Sequence, residues 1–340
     1  MTAFPKEIFK AYDIRGIVGK TLTPEIVEAI GQAIGSEAIA RRQSTIVIGR
    51  DGRLSGPALA EALARGIQKS GVDVIDVGQV ATPMLYFATH QLETYSGVMV
   101  TGSHNPPDYN GLKMVLGGET LAGETIQGLR ERLEKGELSN GGGGYRQHDI
   151  ADAYIRRIVG DIKLARPMKV VIDCGNGVPG AFAPRLYREL GCQVAELFCE
   201  VDGNFPNHHP DPSQPKNLQD VIAALASSDA EIGLAFDGDG DRCGVVDNQG
   251  EEIFADKVGV MLARDISTSH KGAKFVADVK STGLFATDPV LIENGASTTY
   301  WKTGHSYIKR FSHETGALVG FEKSGHFFFN PPLGRGYDDG

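Results

Sequence analysis

Short apolar runs rich in β-branched residues recur along the chain. Each breaks off at a glycine-rich polar turn and is followed by a stretch with helical spacing. The units begin at Ile46 to Gly56, Val170 to Gly180 and Phe275 to Gly283. After the first turn, Pro57 to Gln68 is rich in Ala and Leu at helical spacing, with Gly71 as its C-terminal stop. Val72 to Val77 then alternates as a strand does. Repeated strand, turn and helix predict largely parallel sheets with crossover helices, whose ligand sites lie at the carboxyl ends of the strands. The expected class is α/β, with consecutive Rossmann-like three-layer α/β/α domains and mixed, largely parallel sheets. No G-x-G-x-x-G opens a helix with the spacing that dinucleotide binding requires.

Two turns carry chemistry. Asp237-Gly238-Asp239-Gly240-Asp241-Arg242 follows the apolar run around Ile232, Leu234, Ala235 and Phe236. Its three carboxylates suit a hard divalent cation, Mg²⁺, Mn²⁺ or Ca²⁺, and its glycines let the oxygens converge. An EF-hand would need glycine sixth and glutamate twelfth, where Arg242 and Asn248 stand. A solvated acidic turn is the plainer alternative. The second turn, Thr101-Gly102-Ser103-His104-Asn105-Pro106, ends the run Val98 to Val100. Asn105 replaces the last glycine of a hydrolase elbow, and neighbours such as His104 and Ser103 are expected to point apart, which argues against a triad. What remains is a serine at a strand end, able to carry a phosphoryl group if cations and a metal offset its charge.

Together these turns resemble the α-D-phosphohexomutase superfamily, in particular its bacterial phosphomannomutase/phosphoglucomutase type. Lys10-Ala11-Tyr12-Asp13-Ile14-Arg15-Gly16 resembles the opening motif of that family, Thr101 to Pro106 its phosphoserine loop, and Asp237 to Arg242 its metal loop. Glu322-Lys323-Ser324-Gly325-His326 resembles its sugar-specificity loop. The motifs stand in family order over almost the whole chain. The resemblance implies an isomerase that interconverts hexose 1-phosphate and hexose 6-phosphate, with mannose and glucose both open. Ser103 would be held as phosphoserine, passing its phosphoryl group to the sugar through a hexose 1,6-bisphosphate. Asp237, Asp239 and Asp241 would hold Mg²⁺ against Ser103, and glucose 1,6-bisphosphate would act as activator.

Phosphoryl transfer depends mainly on positioning and charge neutralisation, so nearby cations matter. Arg15, Lys113 and His326 are the candidates for proton transfer, Lys113 on the expectation that neighbouring cations lower its pKa. Arg242 would steady a phosphate or sugar oxygen, and Tyr12 belongs with the substrate contacts. Glu322, Ser324 and His326 alternate, so an extended segment would turn all three to one face and toward sugar hydroxyls. By resemblance, Lys280 and His305 would contact substrate or its phosphate. Arg50-Asp51-Gly52-Arg53 has the same strand-then-turn form and could brace the site. The resemblance also implies domains at 1–149, 150–249 and 250–340, with the family's C-terminal fourth domain absent from this chain. Two competing readings are a non-catalytic phosphosugar or metal-binding protein and a phosphatase; phosphoglucosamine mutase is a nearer alternative.

Composition changes little. In 340 residues, 43 acidic against 34 basic side chains give a net charge of −9, which disfavours nucleic acid and anionic membranes as partners and requires any basic cleft to be local. The partner expected is a small phosphosugar; monomer and homo-oligomer stay open. Cys174, Cys192, Cys199 and Cys243 have no C-x-x-C spacing and read as reduced. No signal pattern opens the chain and no run approaches the ~18 apolar residues of a spanning helix, so the expected location is the cytoplasm.

Overall fold

Alternation along Thr45–Arg50 organises the first sheet: Ile46 and Ile48 enter one apolar core and Val47 the opposite one. Its neighbours do the same, with Val98 and Val100 on one side and Met99 on the other. The computed structural model, which describes residues 4–339, has three such sheets in succession along the chain. The first runs Ile14–Ile17, Tyr109–Leu116, Gly97–Val100, Thr45–Arg50, Asp73–Gln79, Tyr145–Gln147, with Glu119–Thr120 paired to Tyr109–Leu116. Its centre is parallel, and Tyr109–Leu116 is antiparallel to both of its main neighbours. The helices Pro24–Ala40, Gly56–Ser70 and Glu124–Lys135 cover one face, while Thr82–Gln91 and Ala151–Asp161 cover the other.

The second sheet runs Glu252–Ile253, Cys243–Asp247, Ile232–Phe236, Lys169–Asp173, Gln193–Leu197. Val171 faces the helix Gln219–Ala226, and Val170 and Ile172 face the helix Ala183–Glu189. The third runs Ser297–Trp301, Lys274–Asp278, Val319–Phe321, Phe327–Phe329. Phe275 and Ala277 pack toward the helix Ala255–Ser269, Val276 toward His305–Glu314. Three consecutive α/β/α domains with mixed, mostly parallel sheets result. Among the described residues no helix is long and apolar enough to cross a membrane.

Local rules account for the expected elements. The stretch expected over Pro57 to Gln68 is the helix Gly56–Ser70, and Gly71 closes it at φ +101°, a conformation that costs glycine little. The strand after it is Asp73–Gln79. One expectation fails: Glu322 to His326 is a tight turn joining the antiparallel strands Val319–Phe321 and Phe327–Phe329. The Glu322 carbonyl accepts from the Gly325 N–H at 3.0 Å, and the Glu322 N–H donates to the His326 carbonyl at 2.9 Å. The antiparallel pairing of the flanking strands demands a reversal here, which alternation of polar residues could not reveal.

Candidate active site

The reactive turns all leave carboxyl ends of strands, where the last peptide groups have no partner in the sheet and are free to bind loops or ligands. Ser103 is 3 % exposed and adopts φ +49°, a left-handed conformation unusual outside glycine. Its N–H donates to Thr101 Oγ1 at 2.8 Å. The Thr101 hydroxyl in turn lies 2.8 Å from Asp51 Oδ2 and 3.1 Å from Asp239 Oδ2. Behind the loop, the buried Arg53 guanidinium donates to four backbone carbonyls: Ser103 and Tyr109 at 2.9 Å, Asn105 at 2.6 Å and Pro106 at 2.5 Å. Arg53 is thus a brace for the serine turn, while its own charge is met by Asp51 at 3.3 Å.

Ser103 Oγ donates to Asp237 Oδ2 at 3.0 Å, bringing the serine turn against the acidic loop of the second domain. The approach is closer still along the backbone: a Cβ on Gly238 would lie 2.4 Å from the Ser103 carbonyl oxygen, so only glycine fits there. Asp237, Asp239 and Asp241 are fully or nearly fully buried, and one oxygen of each lies within 4.8 Å of the others. Asp239 Oδ2 accepts from Thr82 Oγ1 at 2.6 Å, at the N-terminus of the helix Thr82–Gln91, and from Lys113 Nζ at 2.8 Å. Lys113 also bonds Asp241. Arg242 donates through Nε to Asp237 Oδ2 at 3.1 Å and lies 3.6 Å from Asp211. Three carboxylates therefore face Lys113 and Arg242, with His326 Nδ1 3.8 Å from Asp241 Oδ1 on the third side. Burial, then the repulsion of Asp239 and Asp241, pushes Asp237 up to about 7 against the pull of Arg242. Asp239 Oδ1 and Asp241 Oδ1 are buried without any hydrogen-bond partner. Converging hard oxygens and orphaned buried acceptors fit a divalent cation, and the cluster can hold one.

Lys113 departs from expectation. Its burial alone would lower its pKa, but the charges of Asp239 and Asp241 raise it well above the ordinary value, so it is a fixed ammonium. His104 also departs: its Nδ1 lies 3.2 Å from Ser103 Oγ, because the left-handed serine turns the two side chains toward each other. Burial, then the charge of Arg242, lowers His104 to about 3, so it is a neutral imidazole and a weak base. Arg15 bonds Asn105 Oδ1 of the serine turn and pairs with Asp13.

The third domain closes over this centre. Asp278, 1 % exposed, gathers three of its loops: Oδ1 accepts from Ser281 Oγ at 2.5 Å and the Lys323 N–H at 3.3 Å, and Oδ2 from Thr303 Oγ1 at 2.9 Å. Glu322 Oε1 accepts from the Gly304 N–H at 2.5 Å, and its Oε2 from Ser324 Oγ at 3.3 Å. His326 Nδ1 is 2.7 Å from Asp338 Oδ2 and 3.8 Å from Asp241 Oδ1. Burial works against protonation, yet those two carboxylates raise His326 to about 9, so it is an imidazolium. The His305 ring lies 5.6 Å from that of His326, and burial, then His326 and Lys113, keeps it neutral. Tyr12 packs on His305 and Tyr307 and donates to the Thr303 carbonyl at 3.4 Å, tying the first domain to the third. Lys280 is exposed and makes no hydrogen bond or ion pair among the described residues. Sequence reasoning missed Thr82, Asp278 and Asp338, all of which act through contacts distant in the chain or buried under the turn.

Three consecutive domain families, described as phosphoglucomutase/phosphomannomutase alpha/beta/alpha domains I, II and III, match residues 6–140, 152–250 and 254–340. The chain belongs to the phosphoglucomutase/phosphomannomutase family. It is similar to the phosphomannomutase/phosphoglucomutase of Pseudomonas aeruginosa, 54 % identical over 99 % of this chain and 72 % of that protein. The phosphoglucomutase of Neisseria meningitidis serogroup A is 56 % identical over 100 % of this chain and 74 % of its own length. A crystal structure of a family protein from Burkholderia thailandensis superposes with TM-score 0.96 at 51 % identity, covering 99 % of this chain and 75 % of that one. The family member described here is a hexose-phosphate mutase, an isomerase.

Proposed function

We propose that Ser103 carries the transferred phosphoryl group in an enzyme that interconverts the 1- and 6-phosphates of glucose, mannose or both through a hexose 1,6-bisphosphate. The observation that carries this reading is the placement of Ser103 Oγ 3.0 Å from Asp237, in a left-handed turn braced by Arg53. A buried serine without a strong base beside it is a poor hydrolytic nucleophile, but it is well placed to hold a group whose charge its surroundings offset. Mg²⁺ is the ion assigned to Asp237, Asp239 and Asp241; bound there it supplies positive charge against the phosphoryl oxygens.

The side chains divide the remaining work. Lys113, Arg242 and Arg15 supply fixed positive charge on the side of the serine turn, where charge develops during transfer. Arg242 Nη2 is buried without a partner and is a free donor for a phosphoryl or sugar oxygen. His326, charged and fixed by Asp338, gives a proton to the departing oxygen and takes one back in the reverse half-reaction. Glu322 and Ser324 accept and donate to adjacent sugar hydroxyls, while neutral His305, Tyr12 and Lys280 meet the sugar and its non-reacting phosphate. Lys280 would have to reorient on binding, since it is solvated in the free protein. Glucose 1,6-bisphosphate is the activator that loads the serine. The partner is a soluble phosphosugar, the location the cytoplasm, and domain junctions are placed near 149/150 and 249/250.

The test is peptide mass spectrometry before and after incubation with glucose 1,6-bisphosphate and Mg²⁺. The Ser103 peptide gains about 80 Da and loses it again when a hexose monophosphate is added. A Ser103 peptide that never gains this mass while the protein still turns over substrate rejects the assignment.

A further inference from the structure

Cys199 Sγ and Cys174 Sγ lie 3.5 Å apart as free thiols, on adjoining ends of the parallel strands Lys169–Asp173 and Gln193–Leu197. The pair is locked into its surroundings by backbone bonds. The Cys174 N–H donates to the Leu197 carbonyl at 3.1 Å, and the Asn176 N–H to the Phe198 carbonyl at 2.8 Å. A covalent S–S bond is about 2.05 Å long, so closing the gap needs an approach of roughly 1.5 Å, within reach of side-chain rotation and a small backbone shift. The two cysteines differ in access: Cys174 is 0 % exposed, while Cys199 is half-buried. Burial raises the Cys174 thiol well above its ordinary range, leaving Cys199 as the sulfur that meets a solute first.

Both segments bear on the reaction centre. Beyond Cys174, the Val178 N–H donates to the carbonyl of Gly238 in the acidic loop at 3.2 Å. Beyond Cys199, Val201 fills the space beside Gly52, and a Cβ there would lie 2.4 Å from its Cγ1. The Phe205 ring lies 5.2 Å under the Arg53 guanidinium that braces the serine turn. Drawing the two sulfurs together therefore pulls on the acidic loop and on the serine brace at once.

We propose that Cys174 and Cys199 form a reversible dithiol/disulfide site whose oxidation by peroxide lowers turnover. The Cys199 thiolate attacks one peroxide oxygen, the O–O bond breaks, and the departing hydroxide takes up the thiol proton as water, leaving a sulfenic acid. The Cys174 sulfur then forms the S–S bond, expelling the sulfenic oxygen with the second thiol proton as another water. Two thiols and one hydrogen peroxide give one disulfide and two waters, the sulfurs losing the two electrons that peroxide gains.

The effect on turnover rests on the mutase reading, but the bond itself does not. The protein is treated with hydrogen peroxide, quenched, digested without reductant and mapped by mass spectrometry, in parallel with a hexose-phosphate isomerisation assay. The expected product is a peptide pair joined through Cys174 and Cys199, about 2 Da lighter than the two thiol peptides together. Turnover is expected to fall on the order of tenfold, less than the roughly 100-fold cost of a full 1 Å misplacement, and to return with dithiothreitol. Cys199→Ser and Cys174→Ser should each retain activity without peroxide and lose the sensitivity. Absence of the joined peptide, with other oxidation products in its place, overturns the site. A joined peptide with unchanged turnover overturns the regulatory part, and equal peroxide sensitivity in Cys199→Ser does the same.

Discussion

Replacing Arg53 with methionine keeps much of the apolar volume and removes the guanidinium, and the consequence can be worked out from its contacts. Four carbonyls of residues 103 to 109 lose their donor, and Asp51, 1 % exposed, loses its counter-charge. A hydrogen bond from a charged donor contributes about 1.5–3 kcal/mol net, but the four do not add. Pro106, Pro107 and Asp108 are exposed, so part of the turn can recover its bonds from water. The Ser103 carbonyl and the Asp51 carboxylate are buried and cannot. Breaking a buried pair by removing one partner costs about 3–5 kcal/mol, and that range is the expectation here. For a domain of this size it corresponds to a fall of roughly 6–20 °C in the first thermal transition. Arg53→Lys restores the charge without the planar fork and should fall between the two. Near-UV circular dichroism would follow the transition, and hydrogen exchange would report faster opening of peptides covering residues 101–110. A methionine variant within about 2 °C of the parent protein, with unchanged exchange in that turn, would refute the view that Arg53 braces the serine.

Ser103→Ala should fold normally and lose turnover by roughly 1,000-fold or more, since no other hydroxyl takes its place; retained activity at one tenth of the parent would contradict the assignment. In Gly238→Ala the new Cβ would meet the Ser103 carbonyl oxygen at 2.4 Å, about 1 Å short of ordinary contact. The two loops must separate by a comparable distance, so kcat should drop on the order of 100-fold, and a value within threefold of the parent enzyme would argue against direct loop contact. Glu322→Gln keeps the shape of the side chain but removes its charge, and kcat/KM should fall by roughly 10- to 150-fold, the equivalent of one charged hydrogen bond. His208 Nε2 lies 2.9 Å from Asp173 Oδ2; burial opposes its protonation, but that bond and charge raise its pKa overall. The pair therefore stabilises the fold fully below the unfolded value of about 6.5, and the contribution disappears as pH rises through the higher folded value. The urea midpoint of the parent minus that of His208→Gln should shrink from pH 6 to pH 9; a constant difference would show that the pair is not coupled to protonation.

Much of the site was legible because its chemistry is local in sequence. Ser103 and the three aspartates sit in single turns after apolar runs, and the apolar alternation that forms the sheets places such turns at their carboxyl ends. What escaped depends on distance. Thr82 meets Asp239 across 157 positions, and nothing around Thr82 marks it as a ligand of the acidic loop. Asp338 reaches His326 across the strand Phe327–Phe329, a contact that hydropathy does not record. The charge state of Lys113 was misjudged for a related reason: its sequence neighbours suggest cations, whereas its neighbours in space are carboxylates. Arg53 was legible as a brace because the motif repeats the strand-then-turn form of the reactive loops.

The contact between Ser103 and Asp237 also sets an order of events during synthesis. The two residues are 134 positions apart and belong to domains whose main cores, around Ile46 and around Val171, are distinct. At about 5–20 residues per second, the ribosome delivers the aspartate roughly 7–27 s after the serine. Once the strand Tyr145–Gln147 and the helix Ala151–Asp161 have been made, the newborn first domain can fold around its own sheet and set the serine turn with Arg53, while the carboxylate side of the centre still lies ahead. On the role proposed for Ser103, a centre divided in this way stays inert on the nascent chain until a second domain has folded and docked.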